Sequence, residues 1–254
     1  PMYTTSILPI SDERWMSFAN GFPRANVFHH PAWSKLIAQS YNFDPQIFAL
    51  VNSQNTIMAG LPLMQLPNQI TGVRWECLPF TDHCFPLFQD GAVQDDFYNE
   101  ILVTAREQRV KQVGFRGDAI SHPDVYKTRQ FAWHTLRLDD DFQDVSARIH
   151  LMHKRNAITA QKRGVQVKWG NTTADIDTYY RLHLQERQRQ GVPVQPKRFF
   201  KLIEKFLFQT GMGSILFAYK DEKVIAGLLL LYFGQTLTYK FGASEKASLV
   251  YRPN

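Results

Sequence analysis

A chain of 254 residues, 44% hydrophobic and 13% aromatic, has material for one large or two medium domains and is too apolar for a disordered protein. Its formal net charge is +6, and its two cysteines, Cys77 and Cys84, are too few and wrongly spaced for a zinc site. Both read as reduced thiols of a cytosolic protein. No apolar run has the length of a membrane span, and no cleavable signal is expected at the start.

Taken in chain order, Asp12 to Ala19 and Pro31 to Ser40 are expected to be short helices, the second with proline where a first turn tolerates it. Strands are expected at Gln46–Val51, Thr56–Gln65 and Ile70–Leu78. A loop, Pro79 to Asp90, holds Asp82 and His83 between prolines. Gln94 to Arg109 reads as a helix, and Gln112–Arg116 and Phe131–Leu138 as strands. Asp139 to Asp141 is expected to open one long helix from Phe142 to Arg163, with acids at its positive end and Gly164 just past its close. On it, Arg148, Arg155 and Lys162 recur every seven residues and so share nearly one face, drifting about 20° per step. A strand at Val165–Trp169, helices at Thr173–Gln190 and Pro196–Gln209, and strands at Ser214–Tyr219, Val224–Phe233 and Thr236–Phe241 complete the order.

The chain repeats itself. Phe48-Ala49, a polar turn and Ile57-Met58-Ala59-Gly60-Leu61 are echoed by Phe217-Ala218, a polar turn and Val224-Ile225-Ala226-Gly227-Leu228. Each phrase is a hairpin signal, and the long interval between them predicts a duplicated domain. The expected class is α/β (α+β): two tandem domains, 1–140 and 141–254, each a mixed sheet flanked by helices. The second copy is expected to be incomplete at its C-terminal end, leaving a sheet edge that needs cover.

Charge is uneven. Between Ala147 and Lys201 twelve Lys/Arg face three acids, Asp175, Asp177 and Glu186, a surplus of +9. The remainder therefore carries −3, and the asymmetry points to an anionic partner. For any single residue, a solvated helix face is the plainer and preferred explanation of the charge. Asp82 with His83 reads either as an acid–base pair on a rigid loop or as a hydrogen-bonded turn. His183, Glu186 and Arg187 share one helix face, as groove residues or as an exposed ion pair.

Several phrases resemble the FemAB family in order and spacing. They are Arg155-Asn156-Ala157-Ile158 running to Lys162-Arg163-Gly164-Val165, Arg189-Gln190-Gly191-Val192-Pro193, the hairpin Val224 to Leu230, Tyr239-Lys240-Phe241-Gly242-Ala243-Ser244, and the closing Arg252-Pro253-Asn254. The resemblance covers most of the chain and implies two GNAT-type domains. It also implies transfer of an acyl or aminoacyl group to an amine, often of a peptidoglycan or other polysaccharide precursor. Such chemistry needs an amine that loses a proton and a carbonyl oxygen stabilised as charge grows on it. It also needs cations for a diphosphate. By this resemblance Lys35 and Arg155 would grip phosphate, with Arg148, Lys162, Arg189 and Arg252 as further substrate-binding cations. Lys240 would sit near the developing charge, or merely on the polar face of its strand, and Asp82 and His83 would serve the acceptor amine. The stretch Glu245 to Arg252 lacks the glycines of an ordinary coenzyme A turn, which leaves aminoacyl-tRNA or an acyl-CoA site of different design as donor. No metal site is expected. The partners implied are a small-molecule or lipid-linked diphosphate precursor and tRNA as donor. The place implied is the cytoplasm, with peripheral contact at the inner membrane face. A nucleic-acid-binding module using the basic region, or a non-catalytic relative that only binds, stands as the alternative.

Overall fold

The structure, a computed structural model, describes residues 3–67, 72–89, 93–138 and 141–253. The chain packs into two compact units. The first comprises residues 1–129 with 205–212 and 231–238; the second comprises 130–204, 213–230 and 239–254.

The first unit begins with a strand absent from the sequence reading, β1 (Thr4–Pro9), and the helix α1 (Glu13–Asn20). Asp12 caps α1, its carboxylate accepting from the Arg14 amide. A short 3-10 turn, Val27–His29, leads into α2 (Pro31–Tyr41), which has proline in its first turn and closes at Asn42 in the left-handed region. The hairpin of β2 (Asp44–Val51) and β3 (Ile57–Leu66) follows, with Ala49 opposite Gly60. Then come β4 (Arg74–Glu76), β5 (Leu87–Phe88), α3 (Gln94–Glu107) and β6 (Gln112–Gly114). The sheet order is β1-β2-β3-β4-β6, with β5 paired to β3. It is mixed: β4 and β6 run parallel across the α3 crossover, while the other pairs are antiparallel. Of the strand expected from Ile70 to Leu78 only Arg74–Glu76 pairs, and Ile70 itself lies outside the described residues.

The core of this unit forms where α1 lies on the sheet. Trp15 is fully buried against Ile47, Ala49, Ile57 and Leu87. The closeness depends on Gly60, because a Cβ there would meet the Trp15 ring at 2.6 Å.

Two expectations fail after α3. Residues 131–138 form no strand, because no described strand pairs with them. The single long helix is two helices, α4 (Phe142–Arg148) and α5 (Leu151–Lys162). Ile149 is extended, and His150 starts α5 afresh, its Nδ1 accepting from the Met152 amide at 3.3 Å. Arg155 and Lys162 thus share a helix, whereas Arg148 belongs to another. Asp141 caps α4 as expected; Asp139 and Asp140 lie outside the described residues.

The remaining elements are β7 (Gln166–Gly170), α6 (Thr173–Gln190), α7 (Lys197–Ile203), a π-helical turn Glu204–Phe208, and the strands β8 (Gly213–Lys220), β9 (Lys223–Phe233) and β10 (Thr236–Ser244). The sheet order is β10-β9-β8-β7. A reciprocal capping box of Thr172 and Asp175 starts α6, and Gly191 ends it with a φ of 67°. The α/β class, with two mixed or antiparallel sheets carrying helices, agrees with the sequence reading.

Candidate functional site

In the second unit, α6 lays one face on the sheet. Tyr179 and His183, one turn apart on α6, are fully buried and stack with ring centroids 5.9 Å apart. His183 also meets the Phe241 ring of β10 at 5.2 Å. A Cβ on Gly227 would lie 2.8 Å from the Tyr179 ring, so β9 needs glycine there to admit it. His183 Nε2 lies 3.1 Å from the Gln195 side-chain Oε1 and 3.5 Å from the Arg187 Nε, which donates towards it, so both of the ring's hydrogen-bond contacts are made through Nε2 and none through Nδ1. That Nδ1 and the Tyr179 hydroxyl are both buried without a protein partner. Burial holds the His183 pKa below its ordinary value, and burial raises that of Tyr179 well above its own. The ring is therefore neutral and the phenol protonated near pH 7.

Lys240 lies on β10 with only 8% of its surface exposed, and its ammonium stands 4.7 Å from the Phe241 ring centroid. Glu186, also buried, accepts hydrogen bonds from Arg189 and, at 2.7 Å, from the Gln190 side-chain Nε2. The Arg189 guanidinium is thus held by its own helix. Arg148 donates to the Arg137 carbonyl at 2.6 Å. Arg155 and Lys162 are exposed on α5, and Arg252 is exposed in the left-handed region after the 3-10 turn Lys246–Tyr251.

The first unit holds the other sequence candidates. Lys35 projects from α2 with its ammonium 5.1 Å from the Phe206 ring centroid. Asp82 is exposed. His83, with 12% of its side chain exposed, stands 3.4 Å from Asp118, a carboxylate that the sequence reading did not single out. Asp118 also pairs with Arg24 at 2.7 Å. Burial lowers the His83 pKa against the opposing pull of Asp118, and Arg24 lowers that of Asp118. Asp118 and Arg24, with Arg116, line a cleft of about 360 Å³ walled by Phe22, Phe85, Phe88, Tyr98 and Phe115. No cluster of metal-ligating side chains exists among the described residues, and no described helix is long and apolar enough to cross a membrane.

Residues 145–254 match the family model described as "Acetyltransferase (GNAT) domain". Among solved structures, "Crystal structure of FemX" superposes with a TM-score of 0.70 at 12% identity, covering 98% of this chain and 83% of that one. The fold is FemAB-like. The GNAT match over residues 145–254 supports an acyltransferase. A second structure is titled "A unique GCN5-related glucosamine N-acetyltransferase region exist in the fungal multi-domain GH3 beta-N-acetylglucosaminidase". It aligns at 12% identity over 90% of this chain and 27% of that one, and its TM-score of 0.36 carries no argument. No curated protein matches the sequence. Within the FemAB-like fold, the GNAT match spans the buried cluster of α6 and β10, and the aromatic cleft lies in the first unit.

Proposed function

We propose that this chain moves an acyl or aminoacyl group onto an amine of a cell-wall or exopolysaccharide precursor. The observation that carries the reading is the acetyltransferase match over 145–254, which takes in a buried lysine and two buried, unpartnered polar atoms. Buried polar atoms without partners are costly and rare, and each calls for an explanation, of which a bound group is one.

The reaction follows from the residues. The acceptor amine gives up a proton and its nitrogen bonds to the acyl carbon. The bond from that carbon to the donor's leaving atom breaks, and the leaving atom takes a proton. Negative charge on the carbonyl oxygen between these events would be stabilised by the Lys240 ammonium, which is strong in a poorly hydrated setting. The neutral His183 would offer its unpartnered Nδ1 to a polar group of the donor. The turn Lys246–Tyr251, without glycine, supports aminoacyl-tRNA over acyl-CoA as donor. Arg155 and Lys162 on α5, with Lys35, Arg148, Arg189 and Arg252, are proposed to meet anionic groups of donor and acceptor. Asp82 and His83 are proposed to serve the amine. The division into GNAT-type domains 1–140 and 141–254 belongs to the same reading. So does a cytoplasmic protein drawn to the inner membrane face by a lipid-linked acceptor.

Titration with a uridine-diphosphate-linked muramyl peptide, and separately with nucleic acid at two salt concentrations, tests the reading. Saturable binding of the precursor, weakened about tenfold in Arg155→Ala, is expected. Salt-sensitive binding of nucleic acid with none of the precursor would remove it.

A further inference from the structure

The aromatic cleft of the first unit contains a cation of its own. The Arg24 guanidinium lies over the Phe85 ring, 4.7 Å from its centroid, and donates to Asp118 at 2.7 Å. A ring face and a carboxylate together are what an ammonium group seeks. Arg24 is poorly anchored in that place: 69% of its side chain and 61% of that of Asp118 are exposed, and exposed ion pairs hold weakly. Asp118 is better fixed. His83, mostly buried, braces its other oxygen. Gly117 lets the chain pass so close to Phe85 that a Cβ there would come within 2.8 Å of the Phe85 Cβ. Ring and carboxylate therefore form a prepared pair, and Arg24 is the exchangeable third member.

The lining also includes Arg116, so it carries two cations and one carboxylate. A bare amine would meet a surplus of positive charge. A ligand with an ammonium and an anionic group would not: the ammonium would take Asp118 and Phe85, and the displaced Arg24 would turn to the anion. The cavity, about 360 Å³, has the size and apolar wall of a small-ligand site.

We propose that this cleft is a binding site for a zwitterion, an ammonium and a carboxylate carried on an apolar body, and that Arg24 holds the ammonium position until the ligand arrives. Asp118 and Phe85 bind the ligand, and His83 is a positioning residue that acts through Asp118. The identification of this ligand with the acceptor of an acyl group rests on the transferase reading; its binding does not.

The test is calorimetric titration of the full chain, without any acyl donor, using three probes of one shape: phenylalanine, phenethylamine and 3-phenylpropionate. Phenylalanine is expected to bind most tightly, with a Kd on the order of 1 mM. Asp118→Asn should weaken phenylalanine and phenethylamine about tenfold and leave 3-phenylpropionate unweakened. Arg24→Ala should tighten phenethylamine several-fold, by vacating its place, and weaken 3-phenylpropionate. Both side chains are exposed, so both variants should melt at the wild-type temperature. Absence of saturable phenylalanine binding, or an Arg24→Ala variant that leaves the Kd of phenethylamine unchanged, would overturn the proposal. Because no donor is present, that failure would leave acyl transfer untouched, and a failed transfer assay would leave this binding untouched.

Discussion

The two units contain the same device and use it differently. In the first, the hairpin β2–β3 carries Gly60, which admits the ring of Trp15 from α1. In the second, the hairpin β8–β9 carries Gly227, which admits the ring of Tyr179 from α6. Trp15 is satisfied: its indole N–H donates to the His29 carbonyl at 2.8 Å. Tyr179 is not, since its hydroxyl is buried without a protein partner, and the neighbouring His183 Nδ1 shares that condition. One copy uses the ring as core. The other accepts the cost of unpaired polar atoms, about 1–3 kcal/mol each. The difference separates a scaffold role from a candidate catalytic one within a common pattern.

The largest expected effect concerns the scaffold copy. His29 is fully buried; its Nδ1 accepts from the Asn26 amide at 3.1 Å, and its Nε2 donates to the Phe85 carbonyl at 2.9 Å. Burial lowers its pKa from 6.5 to about 4. Between these values the unfolded chain takes up a proton that the folded ring refuses. Stability is therefore full above pH 6.5 and falls as pH drops towards about 4, by on the order of 3 kcal/mol. Urea midpoints measured across this range should show the loss, and His29→Gln, which keeps a donor but cannot titrate, should flatten it. A variant as pH-sensitive as the parent would show that other groups govern the slope.

Next come the ring contacts. Gly60→Ala and Gly227→Ala should each cost about 2 kcal/mol, because the new methyl group meets a ring held on all sides. Trp15→Phe should cost a similar amount, about 2 kcal/mol, by leaving a small void and an unmet carbonyl. Equilibrium denaturation of the three variants checks these sizes. Tyr179→Phe should cost nothing or stabilise slightly, since it removes a hydroxyl with no protein partner, while lowering acyl transfer. A Tyr179→Phe protein destabilised as much as Trp15→Phe would erase the contrast between the copies.

Much of the fold was legible because it is local. The glycine hairpins, Pro31 opening α2, and Gly164 at a φ of 77° just past α5 are all set by neighbours in sequence. What escaped depends on partners. Residues 131–138, read as a strand, have no described strand paired with them. The break at Ile149 has neither proline nor glycine to announce it; a histidine performs the capping. The candidate site was legible in its charges and not in its pairings. His83 was singled out with its neighbour Asp82, while Asp118 lies 35 residues further along and Arg24 precedes Asp118 by 94, beyond any spacing rule. Tyr179 is core, as its residue type allows; that its hydroxyl has no protein partner could not be read from residue type.

The most direct measurement is single-turnover transfer of a labelled acyl group, offered as aminoacyl-tRNA and separately as acyl-CoA, to the amine of a uridine-diphosphate-linked muramyl peptide. The expected result is labelled amide product with the wild-type chain and a rate at least about 100-fold lower in Lys240→Met, folding unchanged. Transfer that proceeds equally well in Lys240→Met, or no amide from either donor with a folded, precursor-bound wild-type chain, would contradict it.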